Sequence, residues 1–451
     1  MSMRERLPSL GHRKRSRRGT EDKLKSLEFG IDDCIRFPCL LQRCCEEQGY
    51  LFIPMIQVFQ TREDGMFFPI QTSKPFNFEV LSNIILKLFL NKEMKLKMIQ
   101  CIANQIINSR LFYCLNMTIL FFSSTLTTLK LDYCNLKASN LTTLQDSLNS
   151  KKTITELSIC GNPNREQNFF CLLHCGLKVL NLRFCQINVE GLKNLARAYL
   201  NTPPYISSLI HLDLSHNMVF DEGCTYIANI LRCDRNLLSI NLTDCKIGDE
   251  GLKTLLSSFV EFSLNLDELY FRRKIRMEYY KLTSNLKLPV FYSNTISEAE
   301  IKDKLATIEA LLSKHPLIIE AYEENGEIIC KGNYSLRHFN IAYNPLTEES
   351  LNLLVKTLME QNLLHGNGKG LTRIVLDGTP SHLDECENVK NTIYDLLVTK
   401  RMRVSSSLSN SFTAQNRSSL RKIRKASNGS STSRSVQSSN KDKESIITAS
   451  Q

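Results

Sequence analysis

The sequence predicts an α/β solenoid, with parallel strands along its inner side, helices along its outer side, and disordered basic ends. Three observations predict this fold class. The pattern Leu-x-x-Leu-x-Leu-x-x-(Asn or Cys)-x-(Leu, Ile or Val) recurs along the chain. Stretches with helical spacing of apolar residues follow several copies of it. The formal net charge of +11 is concentrated at the two ends, and the middle of the chain is close to neutral.

Seven copies of the pattern can be followed, five in residues 126–259 and two after a gap. Their first apolar residues are Leu126, Ile154, Leu177, Leu209, Leu237, Leu336 and Leu371. The second copy departs from the pattern around Gly161 to Asn164, and the seventh has Thr379 where Asn or Cys is expected. An array with one short strand in each copy predicts a sheet that grows by one strand per repeat.

Each repeated position has a physical role. The two leucines of Leu-x-Leu point to the same side of a strand, because strand side chains alternate with a period of two. The Asn or Cys then turns the chain, and Asn can bond backbone groups of neighbouring coils that would otherwise be buried without partners. After the turn, Asp249-Glu250-Gly251-Leu252 followed by Leu255 has the spacing of an inward helical stripe. This order predicts strands inside and helices outside.

The long repeat, with Asn or Cys at the turn and Asp-Glu-Gly at the helix start, resembles the ribonuclease-inhibitor-like class of leucine-rich repeats. The resemblance covers Leu126 to Phe259 and again Leu336 to Leu376. Five repeats, a charged insertion after Phe259 and resumption at Gly332-Asn333 also resemble the leucine-rich repeat-containing protein seventy-one group. The first resemblance implies a binding protein without catalytic residues, and the second implies a cytoskeletal or ciliary location.

The region before the repeats, residues 24–125, is expected to form a helical N-terminal cap. We predict one helix over Phe78–Leu90 and another from about Lys92 to Ile107. A cap is needed because the first repeat of a solenoid would otherwise expose its apolar edge. At the other end, residues 336–398 are expected to hold repeats six and seven with a C-terminal cap.

Residues 260–335 form a charged insertion with two notable segments. In the first, the basic run Arg272-Arg273-Lys274-Ile275-Arg276 lies among tyrosines, a mixture that either grips an anionic strand or forms a charged connection packed against the solenoid. In the second, Ile301, Leu305, Ile308 and Leu312 have the spacing of one amphipathic helix. This helix either covers the solenoid's own surface or docks a partner helix.

The charge lies in two terminal segments. Residues 1–23 carry eight Lys/Arg against three acids, net +5, and residues 399–451 carry eleven against two, net +9. The remainder is 11 − 14 = −3. Both ends lack apolar periodicity, so we predict disorder, while the near-neutral middle offers no basic footprint for nucleic acid. In the tail, Ser427 after Arg424-Lys425 is a candidate phosphosite for a kinase that favours basic sequences.

Cysteine content and hydropathy limit the cellular context. The chain has sixteen cysteines, but its N-terminal charges are not followed by an apolar segment, so we expect reduced thiols rather than a disulfide framework. The longest apolar stretch, residues 111–122, is interrupted by polar residues and is shorter than the roughly 20 residues of a membrane span. The sequence therefore predicts no membrane span.

Few residue patterns suggest chemistry. His211, Asp213 and Ser215 alternate on the fourth strand, but parallel side chains roughly 6.6 Å apart do not converge as a hydrolase triad requires. The segment Cys171–Cys175, with His174, offers three zinc ligands on one helix face, although small buried core cysteines explain it better. Phosphate-binding loops and nucleophile elbows do not occur. We therefore predict neither an enzyme nor a bound cofactor or metal.

The repeat register predicts which residues face outward from the strands and could contact a partner. These candidates are Lys130, Asp132, Tyr133, Asn181, Arg183, Phe184, His211, Asp213, Ser215, Asn241, Asn340 and Tyr343. A mixed polar surface with a few aromatics suits a protein partner better than a phosphate backbone.

The leading functional hypothesis is a scaffold or adaptor in the cytoplasm, cytoskeleton or cilium rather than the nucleus, which binds a protein through its repeats. In the alternative, the basic tails bind an acidic partner such as RNA, tubulin tails or an importin, and the solenoid is their carrier. The sequence leaves the partner and the oligomeric state open.

Overall fold

The computed structural model describes residues 33–50, 52–61, 66–70, 79–103, 107–122, 124–201, 208–287, 298–364, 369–378 and 387–400. They all belong to the first of two compact units, Met1–Lys400. The second unit, Arg401–Gln451, lies outside the described residues, as does the basic arm 1–23. The predictions made for both basic ends, disorder included, therefore stay predictions.

The N-terminal region differs from the predicted helical cap. It contains α1 (Asp33–Glu47), β1 (Phe52–Thr61), β2 (Phe67–Ile70), β3 (Glu79–Leu90), β4 (Leu96–Ala103) and α2 (Ser109–Phe121). The predicted helices over 78–90 and 92–107 are wrong, because the described parts of these segments contain β3 and β4. In β4, Ile99, Cys101 and Ala103 are buried at the strand period of two. Apolar residues are so dense in β3 that its sequence fits helix and strand periods alike.

The first five repeats follow the predicted order of strand and helix. They contain β5 (Thr128–Asp132), α3 (Ala138–Lys151), β6 (Glu156–Ser158), a 3-10 helix (Asn168–His174), β7 (Val179–Asn181), α4 (Val189–Asn201), β8 (His211–Asp213), α5 (Phe220–Cys233), β9 (Ser239–Asn241) and α6 (Asp249–Leu256). Successive repeat strands pair in parallel, for example Leu180 with Leu212 and Leu212 with Ile240. The predicted α/β leucine-rich repeat solenoid is confirmed.

The insertion comes between β9 and the next repeat strand. It contains β10 (Phe262–Ser263), α7 (Leu266–Lys287), α8 (Glu298–Lys314), α9 (Pro316–Ile319), β11 (Ala321–Glu324) and β12 (Glu327–Cys330). The last two repeats contain β13 (His338–Asn340), α10 (Glu348–Leu364) and β14 (Arg373–Val375), and a further helix, α11, spans 387–400. Phe339 of β13 pairs directly with Ile240 of β9, so the insertion does not interrupt the sheet.

One sheet joins the N-terminal region to the repeats. Its eleven strands have the order β14-β13-β9-β8-β7-β6-β5-β4-β3-β1-β2. Ile99 of β4 pairs in parallel with Leu129 of β5, so β4 covers the edge of the first repeat strand with backbone hydrogen bonds. The cap therefore protects the solenoid by extending its sheet, which a helical cap could not do.

Buried asparagines hold neighbouring coils together. Asn217 donates its amide to the carbonyls of Leu182 and Leu214 and accepts a hydrogen bond from the backbone N–H of Ile187, as predicted for the turn position. Asn162 does the same in the second repeat, where it donates to the carbonyl of Leu131. The departure of the second repeat from the pattern is narrower than the sequence interpretation had it: Asn162 occupies the turn position, and Asn164 stands where Leu, Ile or Val is expected.

The insertion packs in a way that neither interpretation of its helices anticipated. The apolar side of α8 contacts α7, and Ile275, Leu282, Ile301 and Ile308 form a small core between the two helices. The basic run 272–276 lies within α7 rather than in an irregular connection. A second cluster, which includes Cys233 and Leu317, connects the insertion to α5.

Ion pairs also attach the insertion to the C-terminal end of α5. The Nε and Nη2 atoms of Arg232 donate to the two carboxylate oxygens of Glu268, at 2.7 Å each. Arg235 donates to Glu320 at 2.8 Å and 3.0 Å. Where the chain returns to the repeats, Asn333 donates to the carbonyl of Leu231 at 2.8 Å. These contacts attach the insertion to the C-terminal end of α5 at fixed positions.

The described cysteines are free thiols, and most of them are buried. Cys134, Cys185 and Cys245 occupy the turn position, and the Sγ of Cys185 donates to the carbonyl of Ile159 in the preceding repeat. Turn cysteines thus replace part of the Asn bonding in alternate repeats. Separately, none of the helices in the described ranges is long and apolar enough to cross a membrane.

Candidate protein-binding surface

The residue before each turn Asn or Cys has a left-handed backbone conformation, and the seventh repeat has the same conformation at the equivalent position. We call these residues the turn ladder, and their φ angles lie between 49° and 68°. The turn ladder consists of Tyr133, Gly161, Phe184, His216, Asp244, Tyr343 and Gly378. A left-handed conformation is uncommon for residues other than glycine, and its recurrence in parallel coils places these side chains in one row beside the sheet.

Neighbouring residues of the turn ladder are in contact. The rings of Phe184 and His216 stack with centroids 4.2 Å apart. A Cβ on Gly161 would lie 2.3 Å from the ring of Tyr133, and a Cβ on Gly378 would lie 2.2 Å from the ring of Tyr343. Glycine at these two positions therefore both permits the positive φ and makes room for the aromatic ring of the preceding repeat.

A polar network surrounds the stacked pair at the centre of the ladder. Arg183 Nη2 lies 3.0 Å from His216 Nε2, and its guanidinium carbon lies 4.8 Å from the centre of the Phe184 ring. On the other side, His216 Nδ1 lies 3.1 Å from Asp244 Oδ2. Lys246 forms a salt bridge with Asp244, and its hydrogen bond is the main cause that lowers the pKa of this carboxyl group. The charges in this network are thus largely paired.

An open concavity of about 650 Å³ lies beside this network. Its lining residues come from five repeats and are Arg183, Ser215, His216, Asn241, Thr243, Asp244, Asn340, Tyr343 and Gly378. Most of them are polar, and Tyr343 supplies an exposed aromatic ring at one side. A concavity with a mostly polar lining and one aromatic ring at its side can receive a polar side chain of a partner.

Four predicted strand residues support the turns of their own repeats. Asn181, Asp213, Asn241 and Asn340 are half-buried, and the side-chain oxygen of each accepts a hydrogen bond from the backbone N–H two residues later. This short-range bond is the ordinary Asx-turn. One acceptor of each side chain is therefore already used, and the sequence interpretation missed this role.

Two other predicted residues belong to the first repeat strand. Lys130 and Asp132 are half-buried on β5. Asp132 accepts hydrogen bonds from the Ser158 hydroxyl and the backbone N–H of Cys160, so it connects the first repeat to the second. Its carboxylate is therefore committed to a structural contact.

Ser215 lines the concavity, but its side chain does not project from the strand face as the register predicts. Only 1% of its surface is exposed, and its hydroxyl donates to Asp213 Oδ1 at 2.6 Å. The physical reason is that β8 ends at Asp213, so the alternation of a strand no longer sets the direction of Ser215. The equivalent residues Arg183 and Thr243 are exposed and half-buried, respectively.

His211 lies on the strand face but does not form a triad. Its Nδ1 lies 2.8 Å from the hydroxyl of Ser239 on the next strand, and burial lowers its pKa. Since the Ser215 hydroxyl bonds to Asp213, the histidine and the serine of the candidate triad have different partners. This geometry does not activate a nucleophile.

The zinc candidate has an equally plain structural explanation. Cys171 and Cys175 are buried around the 3-10 helix, whereas His174 is exposed. Burial raises the pKa of Cys171 to about 11 and that of Cys175 to about 12, which opposes the thiolate form that binds metal. Across the described ranges, no group of His, Cys, Asp or Glu is placed to hold a metal ion.

The structure thus brings together only part of the predicted surface. Tyr133, Phe184 and Tyr343 are exposed, and Arg183 accompanies them. Asp244 completes the network but was not among the predicted residues. A signal existed in the sequence, because Asp244 precedes a turn Cys as Phe184 does. The candidate phosphosite Ser427 lies outside the described residues.

Comparisons with known proteins agree with this architecture. The sequence profile of the family described as Leucine Rich repeat matches residues 175–196, 205–228 and 233–256. The human protein "NACHT, LRR and PYD domains-containing protein 13" is 37% identical over 137 residues, which is 28% of this chain and 13% of that protein. Mouse "Ribonuclease inhibitor" is 27% identical over 180 residues, which is 32% of this chain and 39% of that protein.

The repeats of this chain are leucine-rich repeats similar to those of the ribonuclease-inhibitor-like class, which confirms the first resemblance. Leucine-rich repeat domains generally mediate protein–protein interactions, and the ribonuclease-inhibitor-like relatives are non-catalytic binding proteins. The chain spans between 13% and 39% of the length of the relatives named here. The resemblance to the leucine-rich repeat-containing protein seventy-one group stays a prediction.

Proposed function

We propose that this protein is a non-enzymatic scaffold or adaptor that binds a protein partner through the turn ladder and the adjoining concavity. The observation that carries the proposal is the row formed by Tyr133, Phe184 and Tyr343 with Arg183 at its centre. Aromatic and arginine side chains are enriched in protein interfaces and dominate their binding energy. The rings lie on a rigid row of turns, so little entropy is lost when a partner packs on them.

The charge pattern of the surface favours a protein partner over nucleic acid. Asp244 lies between Lys246 and His216, and Asp213 and Asp132 are interspersed with Arg183 along the same side. A phosphate backbone would require a continuous stripe of unpaired cations. Mixed, locally paired charges instead suit a partner that offers complementary charges at specific positions.

We place the protein in the cytoplasm, with the cytoskeleton and the cilium as the locations to test first. Support comes from the free thiols of the described residues and from the resemblance to the leucine-rich repeat-containing protein seventy-one group. No cofactor is part of the proposal.

Proximity labelling in ciliated cells tests this function. The full-length protein is compared with the variant Phe184→Ala/Tyr343→Ala and with a matched control, Met359→Ala/Leu363→Ala, which removes two exposed apolar side chains from α10. A third variant lacks residues 1–23 and 401–451, and retains Lys400 because its side chain is buried. Thermal melting of each purified variant shows whether it is folded.

We expect the ladder variant to lose neighbours that the full-length protein, the α10 control and the tail-less variant all label. Unchanged labelling by a folded ladder variant would contradict the proposal. Loss of the same neighbours only in the tail-less variant, together with salt-sensitive association, would favour the alternative in which the basic tails bind an acidic partner.

A further inference from the structure

The two long helices of the insertion have different outer surfaces. Their inner sides form the common core of Ile275, Leu282, Ile301 and Ile308. The outer side of α8 is polar with mixed charges, as Lys302, Asp303, Lys304 and Glu309 are exposed. The outer side of α7 instead carries large apolar side chains, so the hairpin buries one side of α7 and leaves a second apolar stripe unused.

This stripe consists of Leu266, Tyr270, Met277 and Tyr280, whose exposed fractions are 84%, 68%, 50% and 64%. Their spacings of four, seven and three residues place them on one side of a helix with 3.6 residues per turn. On an ordinary surface, exposed apolar side chains are scattered singly, whereas these four large side chains lie along one side of one helix. The stripe has the spacing by which two helices pack along each other.

Cations accompany the stripe. Arg273 is exposed at the centre of the stripe, at the helical position between Tyr270 and Met277. Lys274 and Lys281 are exposed along one flank of the stripe. The nearest exposed acids, Asp267 and Glu278, lie on the far side of these lysines. The stripe therefore combines apolar side chains with positive charge. A partner that fits it must offer apolar residues to the stripe and negative charges to its cations.

We propose that the outer side of α7 docks an acidic amphipathic helix of a partner protein. Leucine-like residues of that helix would pack against Tyr270, Met277 and Tyr280, while its Asp or Glu residues would face Arg273, Lys274 and Lys281. Apolar residues at helical spacing give affinity in such docking, and flanking charges choose the partner and its orientation. The α7 helix is about 33 Å long at about 1.5 Å per residue, enough for a partner helix of similar length.

Charge argues against three other occupants. The basic ends 1–23 and 399–451 of this chain, with net charges of +5 and +9, would be repelled. A second copy would bring the arginine and lysines of one α7 against those of another. Single-stranded nucleic acid could stack bases on Tyr270 and Tyr280, but Leu266 and Met277 offer no flat ring, so half of the stripe would stay uncovered. A helix with acidic flanks uses both the apolar residues and the cations.

Binding of a synthetic peptide to the full-length chain tests the proposal. The probe is a labelled amphipathic peptide of about four heptads, with Leu along one side and Glu at the flanking positions, and a second peptide has Lys in place of every Glu. Fluorescence anisotropy compares the wild type with Lys274→Glu/Lys281→Glu and with the matched control Lys302→Glu/Lys304→Glu on α8. A further variant, Met277→Ala/Tyr280→Ala, removes apolar contacts without a change in charge.

We expect the acidic peptide to bind the wild type, and the α7 charge reversal to weaken binding about tenfold, as loss of two close charge pairs implies. The α8 control should bind within about twofold of the wild type. The Met277→Ala/Tyr280→Ala variant should also bind less tightly, and the basic peptide should prefer the α7 reversal variant over the wild type.

Four results would overturn the proposal. The first is that the acidic peptide does not bind, and the second is that it binds the wild type and the α7 reversal equally. The third is that a uridine oligonucleotide of about 30 bases binds with the same dependence on Lys274 and Lys281, which would assign the stripe to nucleic acid. The fourth is that sedimentation velocity shows a dimer that depends on these residues, which would assign the stripe to a second copy of the chain. Because the ladder variant Phe184→Ala/Tyr343→Ala leaves α7 intact, its failure to change labelling bears only on the proposed function.

Discussion

The substitution Asn217→Ala tests whether buried amides hold the repeats together. The Asn217 side chain is 3% exposed and makes four hydrogen bonds. Its Nδ2 donates to the carbonyls of Leu182 at 2.9 Å, Leu214 at 2.8 Å and Ser215 at 3.3 Å, and its Oδ1 accepts from the N–H of Ile187 at 2.9 Å. Two amide protons serve the three carbonyls, so the side chain contributes two donated bonds and one accepted bond.

At about 1 kcal/mol net for each of these three bonds, Asn217→Ala should lower the free energy of unfolding by about 3 kcal/mol. Asn217→Cys should cost less than the alanine, because in the next repeat the Cys245 Sγ donates to the carbonyl of Leu214 at 3.2 Å. Thr307→Ala, at an exposed position on α8, is the control and should change stability by less than about 0.5 kcal/mol.

The assay is urea unfolding of the full-length chain followed by circular dichroism, with hydrogen exchange measured by mass spectrometry. Hydrogen exchange is needed because repeat arrays can unfold in parts, and exchange at Ile187 and around Leu214 reports the local loss directly. The reasoning would be refuted if Asn217→Ala cost less than about 1 kcal/mol, or if alanine and cysteine were equivalent at this position.

Three further predictions follow from the contacts. Gly161→Ala should destabilise the chain by about 1–3 kcal/mol in urea unfolding, since its φ of 68° and the ring of Tyr133 leave no room for a Cβ; equal stability would contradict the packing. Arg232→Met should leave the carboxylate of Glu268 buried and unpaired, at a cost of about 3 kcal/mol, and should speed hydrogen exchange in α7; unchanged exchange there would exclude an anchoring role. Asp244→Asn should lower the melting temperature at pH 7. Because the pKa of Asp244 is lowered in the folded chain, its contribution to stability is present above the usual carboxyl pKa and is lost as pH falls through the folded pKa. The melting temperatures of the wild type and Asp244→Asn should therefore converge below about pH 4. A difference in melting temperature that does not depend on pH would refute the salt bridge with Lys246.

The repeats were predictable because each coil uses the same local code. Leu-x-Leu alternation identified the repeat strands, and the turn position identified Asn217 as a residue that bonds a neighbouring coil. Cys185 was identified as a turn residue, and its bond to the preceding coil was found only in the structure. The code also contained Asn162, which the interpretation missed because Asn164 stands two residues later, where Leu, Ile or Val is expected. The strands at the N-terminus were mistaken for helices because eight of the twelve residues of β3 are apolar and their spacing fits both periods.

The candidate surface was predictable in part. The residues before the turn, Tyr133, Phe184 and Tyr343, were identified from register alone and are exposed. Ser215 was misplaced because the sequence does not show where a three-residue strand ends. The α7 stripe was not found, since apolar residues occur around much of this helix and only its packing against α8 shows which side is left exposed.

The sequence by itself determined the repeat, its parallel sheet and the residues that turn each coil, because these depend on contacts between equivalent positions in adjacent coils. Only the tertiary structure decided how the ends and the insertion are covered, which acceptors the turns already use, and which apolar residues stay exposed. These features depend on contacts between segments without a common period, such as Arg232 with Glu268 or Ile275 with Ile301, and a local pattern carries no information about such partners.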